Sequence, residues 1–237
     1  MKKQIRKYTS SLMLLFFVHI MVFWMIGCMP LQAPVSSVNS EDVLGGRIIV
    51  IDPGHGGIDR GAIGASRTEE AGLNLSVSKY LEEELMKLGA DVVMTRHDET
   101  TPGSNKRDDM YKRRMVIEQS NADVVVSVHM NAHPDRSISG PMVYYHKESE
   151  NAQKLAQAIQ TELNDALGPV KPKQIKVGDY YILKSGAQPC VIVECGFISN
   201  AREERLLQQR DYQMQISQAI AVGIIKYFSS QPTVGLI

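Results

Sequence analysis

Three short runs of β-branched and aliphatic residues dominate the sequence: Arg47 to Asp52, Asp123 to His129 and Cys190 to Glu194. Each is nearly continuous in apolar character and ends on a polar, chemistry-bearing side chain. A strand with one wet face alternates apolar and polar residues, whereas a strand covered on both faces does not. Between these runs, Leu73, Val77, Leu81, Leu85 and Leu88 recur at helical spacing and Gly89 follows, which predicts a helix over 72–88. Further helices are expected over 109–120, 149–167 and 211–228, with further strands at 91–95, 141–146 and 180–183. Strands alternating with helices predict an α/β fold, a single mostly parallel mixed sheet with helices on both faces. A chain of 237 residues, 43% hydrophobic and 22% charged, is long enough for one such domain. Ligands of open α/β sheets bind beyond the carboxyl ends of the strands, and the unusual polar residues collect at that edge.

Lys2, Lys3, Arg6 and Lys7 precede an apolar stretch from Leu12 to Cys28 that contains His19 and Trp24. Basic flank followed by apolar core is the pattern of a secretory signal or an N-terminal anchor, with the rest of the chain exported. Three fates are open: an uncleaved anchor, lipidation at Cys28 within Met25-Ile26-Gly27-Cys28, or release after Leu31-Gln32-Ala33. The expected organisation is a membrane segment over 1–28, a Pro- and Ser-bearing linker over 29–45, a catalytic domain over 46–230 and a tail over 231–237. The expected location of everything after residue 28 is the outer face of the membrane. Lys and Arg total 26 against 26 Asp and Glu, so no basic field exists to hold nucleic acid. Cys190 and Cys195 are about 17 Å apart along one strand, too far for a disulfide, and read as packed thiols.

His55 follows the first strand, Glu70 opens the first helix and His129 ends the third strand. Two imidazoles and a carboxylate with a position left open form the donor set of a catalytic zinc site. Glu194 follows four apolar residues, where a carboxylate is costly unless paired, hydrogen-bonded or catalytic. Its plain alternative is a salt bridge with Arg96 or Arg114. The Gly54-His55-Gly56-Gly57 loop is not joined by a Gly-x-Ser-x-Gly elbow, which excludes a serine hydrolase, and no Gly-rich loop is followed by a Walker lysine.

Ile51-Asp52-Pro53-Gly54-His55-Gly56-Gly57, Glu70 with Asn74-Leu75, Thr95-Arg96, Ser127-Val128-His129-Met130-Asn131-Ala132 and Val193-Glu194-Cys195-Gly196-Phe197-Ile198-Ser199-Asn200 resemble, in order and spacing, the zinc-dependent N-acetylmuramoyl-L-alanine amidases of the amidase-3 family. The resemblance spans about residues 47–228. It implies one Zn2+ on His55, Glu70 and His129, Glu194 as the catalytic glutamate, and peptidoglycan with its stem peptides as substrate. The usual Glu-Lys-Asp is Glu70-Ala71-Gly72 here, so the second ligand rests on counting back from Asn74-Leu75, and Glu69 is the runner-up. Ala201 stands where a proline is common. A single short catalytic domain behind a membrane segment is similar to the sporulation and germination subgroup, which acts on spore cortex and permits muramic-δ-lactam formation.

Asn131, Arg96 and Arg114 are candidate substrate-binding residues, the arginines for an acidic stem peptide. Their plain roles are capping a strand end and pairing with Asp98 or Asp123. Tyr144-Tyr145 and Tyr180-Tyr181 carry faces suited to sugars, although strand alternation would bury one of each pair. Two other readings are a zinc peptidase acting on wall peptides and a wall-binding protein that needs an activating partner.

Overall fold

A computed structural model describes residues 42–231. The Leu12–Cys28 stretch, most of the linker and the tail beyond 231 lie outside the described residues. Within the described residues no helix is long and apolar enough to cross a membrane.

The strands are β1 (Ile48–Pro53), β2 (Asp91–Met94), β3 (Val124–Asn131), β4 (Met142–Tyr145), β5 (Lys176–Val177) and β6 (Cys190–Phe197). They form one six-stranded sheet in the order β2-β1-β3-β6-β4-β5. The first four in that order run parallel, β4 is antiparallel to β6, and β5 is parallel to β4. The expected mixed, mostly parallel sheet is what forms.

The helices are α1 (Glu70–Lys87), α2 (Lys106–Gln119), α3 (Glu150–Leu167), α4 (Ala201–Leu207) and α5 (Arg210–Ser229). Strand side chains divide by parity between two cores. Ile49, Ile51, Val124, Val126, Val191 and Val193 pack with the apolar stripes of α1, α3 and α5. Val50, Val125, Cys190 and Ile192 meet Ile117 of α2 and the short 3-10 turn Ile182–Lys184. Burial on both faces is why these runs carry no alternation. Cys190 and Cys195 are buried free thiols, as expected.

The second face is the thinner one, covered by one helix and one turn. Asp52, Ser127, His129 and Glu194 follow the parity of that face, at the carboxyl ends of β1, β3 and β6, where the cover is incomplete. The cleft opens there because the polar ends of buried strands have nothing apolar over them.

Two local readings are corrected. Residues 180–183 are not a strand: β5 at Lys176–Val177 takes the free edge of β4, and Ile182 and Leu183 are both buried, which consecutive strand residues could not achieve against one core. The short helix α4 is an addition, started by Asn200, whose Oδ1 accepts from the Arg202 and Glu203 amides at 3.0 and 3.1 Å.

Candidate active site

The turn after β1 is built by two buried arginines. Arg96 Nε donates to the Pro53 carbonyl at 2.9 Å and its Nη2 donates to the Gly54 and Ala71 carbonyls at 3.0 and 2.9 Å. Arg113 Nη1 donates to the Pro53 carbonyl and Nη2 to that of His55, at 2.7 and 2.6 Å. Those bonds hold His55 at a φ of 59°, a left-handed conformation that a non-glycine residue keeps only when its surroundings impose it. Arg113 is itself fixed by Asp52 Oδ1 at 2.7 Å and Asp109 Oδ2 at 3.0 Å. Burial acts to raise the Asp52 pKa, but the Arg113 guanidinium, with the hydroxyls of Ser127 and Thr95, outweighs it and holds the carboxyl below its ordinary range.

His55, Glu70 and His129 converge so that one donor atom from each lies within 4.8 Å of the others. His129 Nδ1 is 2.9 Å and His55 Nε2 3.3 Å from Glu70 Oε1. The two rings stand 5.0 Å apart between centroids at 80°. Each donor is backed by further contacts. Asp59 Oδ1 lies 3.1 Å from His55 Nδ1. Glu70 Oε2 accepts the Ala62 amide at 2.8 Å and Oε1 the Met130 amide at 3.2 Å, while Asn74 Nδ2 donates to Glu70 Oε1 and to the Gly54 carbonyl. Gly54 is required by close approach, since a methyl group there would overlap the His129 imidazole. Glu70 is opposed by burial but stabilised as a carboxylate by the two imidazoles, and its pKa falls well below the usual range. His55 is opposed by burial in its charged form, and Glu70 and Asp59 still raise its pKa.

This donor set suits zinc: two nitrogen ligands and one carboxylate on one side of a common point, an imidazole oriented by an outer carboxylate, and an open cleft on the other side. Glu69, the alternative ligand, is directed away and pairs with Arg60 at 3.0 Å.

Glu194 stands beside His129 in the β3–β6 register. Its Oε2 is buried with no hydrogen-bond partner among the described residues, so the salt bridge with Arg96 or Arg114 does not form. Burial is the main cause that raises its pKa to about 7, with Glu70 adding to the rise and the imidazoles opposing it.

His55, Glu70, His129, Asn131 and Glu194 line one cavity of about 420 Å³. Two of the proposed substrate-binding residues do not reach it. Arg96 is buried and spends its donors on the turn, including the Asp98 carbonyl at 2.7 Å. Arg114 faces outward, pairs with Glu118 at 2.7 Å and lies over the Tyr181 ring. Sequence reasoning missed Arg113, Asp52 and Asp59. Asp52 sits in the quoted Ile-Asp-Pro-Gly-His run, and a buried charge at the end of a strand is the signal that would have asked for an arginine partner.

The comparisons agree with this geometry. Residues 49–226 match the family described as N-acetylmuramoyl-L-alanine amidase, Amidase_3. The chain is 34% identical over 196 residues to the germination-specific N-acetylmuramoyl-L-alanine amidase of Bacillus subtilis, covering 79% of this chain and 82% of that protein. Among solved structures, it is similar to the CwlD amidase from Clostridioides difficile, determined in complex with the GerS lipoprotein, at 33% identity and a TM-score of 0.76 over 78% of this chain and 100% of that one. The catalytic domain of the amidase CwlV from Paenibacillus polymyxa matches at 31% identity and a TM-score of 0.70, over 78% and 99%. A mixed α/β sheet, a His–Glu–His donor set and a lone glutamate at the strand ends, with a family match over residues 49–226, lead to one conclusion: the chain belongs to the amidase-3 family and is an N-acetylmuramoyl-L-alanine amidase acting on peptidoglycan.

Proposed function

We propose that His55, Glu70 and His129 hold one zinc ion and that Glu194 moves the protons in hydrolysis of the amide between N-acetylmuramic acid and L-alanine. The observation that carries this reading is the unpartnered Glu194 carboxylate beside the converging donors. When bound, the ion supplies Lewis acidity toward water and the lactyl carbonyl. Asp59 accepts the His55 Nδ1 proton and so leaves the Nε2 lone pair toward the ion. Glu70 is held in place by the Ala62 and Met130 amides and by Asn74 Nδ2. Glu194 takes a proton from the water whose oxygen adds to the lactyl carbonyl carbon and delivers it to the alanine nitrogen as the C–N bond breaks, leaving a lactyl carboxylate and a free amine. Its place beside the donors, with Oε2 unpartnered, leaves it free for both transfers. Full-length protein with zinc on purified peptidoglycan should create new N-terminal alanine ends, and Glu194→Ala should not. Equal release by both would remove Glu194 from the mechanism. Release of single terminal amino acids in place of whole stem peptides would favour the peptidase reading.

The biological setting we infer is spore cortex, where stem removal precedes muramic-δ-lactam formation. The support is the likeness to an amidase named germination-specific and to CwlD. A strain lacking this chain should make cortex without the lactam; unchanged cortex would sink this part of the reading. The apolar Leu12–Cys28 stretch supports export and attachment at the outer face of the membrane, to be checked by fractionating cells that carry wild type or Cys28→Ala. A lipoprotein partner is supported by the CwlD complex with GerS, and would show as activity that rises when the partner is added.

A further inference from the structure

The cavity has an aromatic wall that the hydrolytic chemistry does not use. Tyr180 and Tyr181 precede the Ile182–Lys184 turn and both line the cavity with Glu194. They are 47% and 44% exposed, whereas Ile182 and Ile192 of the same lining are buried and Met110 is half-buried. Exposed aromatic surface that lines a cleft marks a place where a ligand is covered.

Both rings are held in place. Tyr180 packs edge-on against Tyr144, at 5.6 Å between centroids and 84°, and the Asn131 amide lies beside the Tyr144 phenol. The Arg114 guanidinium lies over Tyr181, 5.6 Å from its centroid. Asn131 and Arg114, expected to touch substrate, thus support the tyrosine wall. Burial raises the Tyr180 pKa first and the Glu194 charge raises it further, which places that phenol within electrostatic reach of the catalytic carboxylate.

Helix α2 gives the cleft a direction. Lys106, Met110 and Arg114 recur every four residues and share one helix face. Lys106, 3.3 Å from Asp59 and 78% exposed in its side chain, and Met110 line the cavity, and Arg114, about 12 Å along the helix from Lys106, backs Tyr181 from outside it. Within the cavity lining, one end presents the Lys106 cation beside Asp59, and the other presents the two tyrosines, Arg114 lying behind Tyr181 and outside the lining with its charge paired to Glu118. The stem peptide is the acidic part of the substrate, and the pyranose ring, with axial C–H groups and hydroxyls, is the part that aromatic faces recognise.

The geometry points to Tyr180 and Tyr181 as a sugar subsite that takes the muramic acid ring, with the stem peptide leaving toward Lys106. The subsite deepens the amidase reading and rests on it. The test uses full-length zinc-loaded protein and two substrates that share the scissile bond: a disaccharide tripeptide, and the same tripeptide carrying only a D-lactoyl group. Tyr180→Ala and Tyr181→Ala should each raise KM for the sugar-bearing substrate by about tenfold with little change in kcat, and leave the lactoyl peptide unaffected. Tyr180→Phe and Tyr181→Phe should retain wild-type KM. An equal loss on both substrates would overturn the subsite, because the wall would then serve the peptide or the cleft itself. Losses in the Phe variants as large as in the Ala variants would also overturn it, in favour of a role for the hydroxyls.

A second measurement needs no variant to fold. Free disaccharide without peptide should inhibit wild type competitively, and absence of inhibition would overturn the subsite while the amidase reading stood. Failure of wild type to cut the sugar-bearing substrate would overturn the amidase reading, and the subsite with it.

Discussion

His129 and Glu194 occupy paired positions on the adjacent parallel strands β3 and β6, so one backbone register holds a metal-donor imidazole and an unpartnered carboxylate side by side. Neither side chain depends on a mobile loop for its position. Buried valines on both strands fix the register, and a slip of either strand by one residue would turn its own polar group to the opposite face of the sheet.

Glu194→Gln should lower the rate of alanine-end release by about 10²- to 10⁴-fold, the usual contribution of a general acid–base, while zinc content is unchanged. Quantitation of alanine ends beside metal analysis of the same sample checks both halves. Loss of zinc together with activity would reassign Glu194 to the metal.

The raised Glu194 pKa also predicts a pH signature in chelator-treated protein. A carboxyl whose folded pKa, about 7, lies above its unfolded value binds more protons in the native state between about pH 4.3 and that value. Its contribution to stability therefore declines as pH rises through this window, by about 3–4 kcal/mol in all. Subtracting Glu194→Gln melts from wild-type melts at several pH values isolates it, and a flat difference would contradict it.

The Asp52–Arg113 pair predicts the opposite sign. Asp52 titrates below its ordinary range, so its contribution is complete above the unfolded pKa and is lost as pH falls through the depressed folded value. Arg113→Met at neutral pH leaves a buried carboxylate unpaired and releases the His55 carbonyl, and should cost about 3–5 kcal/mol in urea unfolding. Arg114→Met, one residue on, should have only a small effect on stability, since its Glu118 partner is at the surface.

Glu70→Gln should abolish stoichiometric zinc binding, and Glu69→Gln should leave it intact, because Glu69 only pairs with Arg60. Zinc retention by the first variant or loss by the second would reverse the ligand assignment.

Asp59→Asn keeps a similar shape but weakens the acceptor at His55 Nδ1. Zinc affinity, measured by competition with a chromophoric chelator, should fall by about 10- to 100-fold. An unchanged affinity would mean that the Arg96 and Arg113 scaffold orients the ring without help.

The parallel sheet was legible in the chain because a doubly covered strand needs an unbroken apolar run, and three such runs with helical spacing between them admit few arrangements. His55, His129 and Glu194 were legible for a related reason: strand ends in an open α/β sheet share one edge, so polar residues at those ends meet whatever the details of packing. Other choices belonged to the tertiary structure. Adjacent arginines, 113 and 114, differ by about 100° around a helix, and only the docking of α2 turned one toward Asp52 and the other toward Tyr181. Glu69 and Glu70 straddle a helix start, where a single backbone step selects the metal or the solvent. Tyr180 and Tyr181 leave the sheet because β5 already occupies its edge, a competition between distant segments that no local pattern of residues encodes.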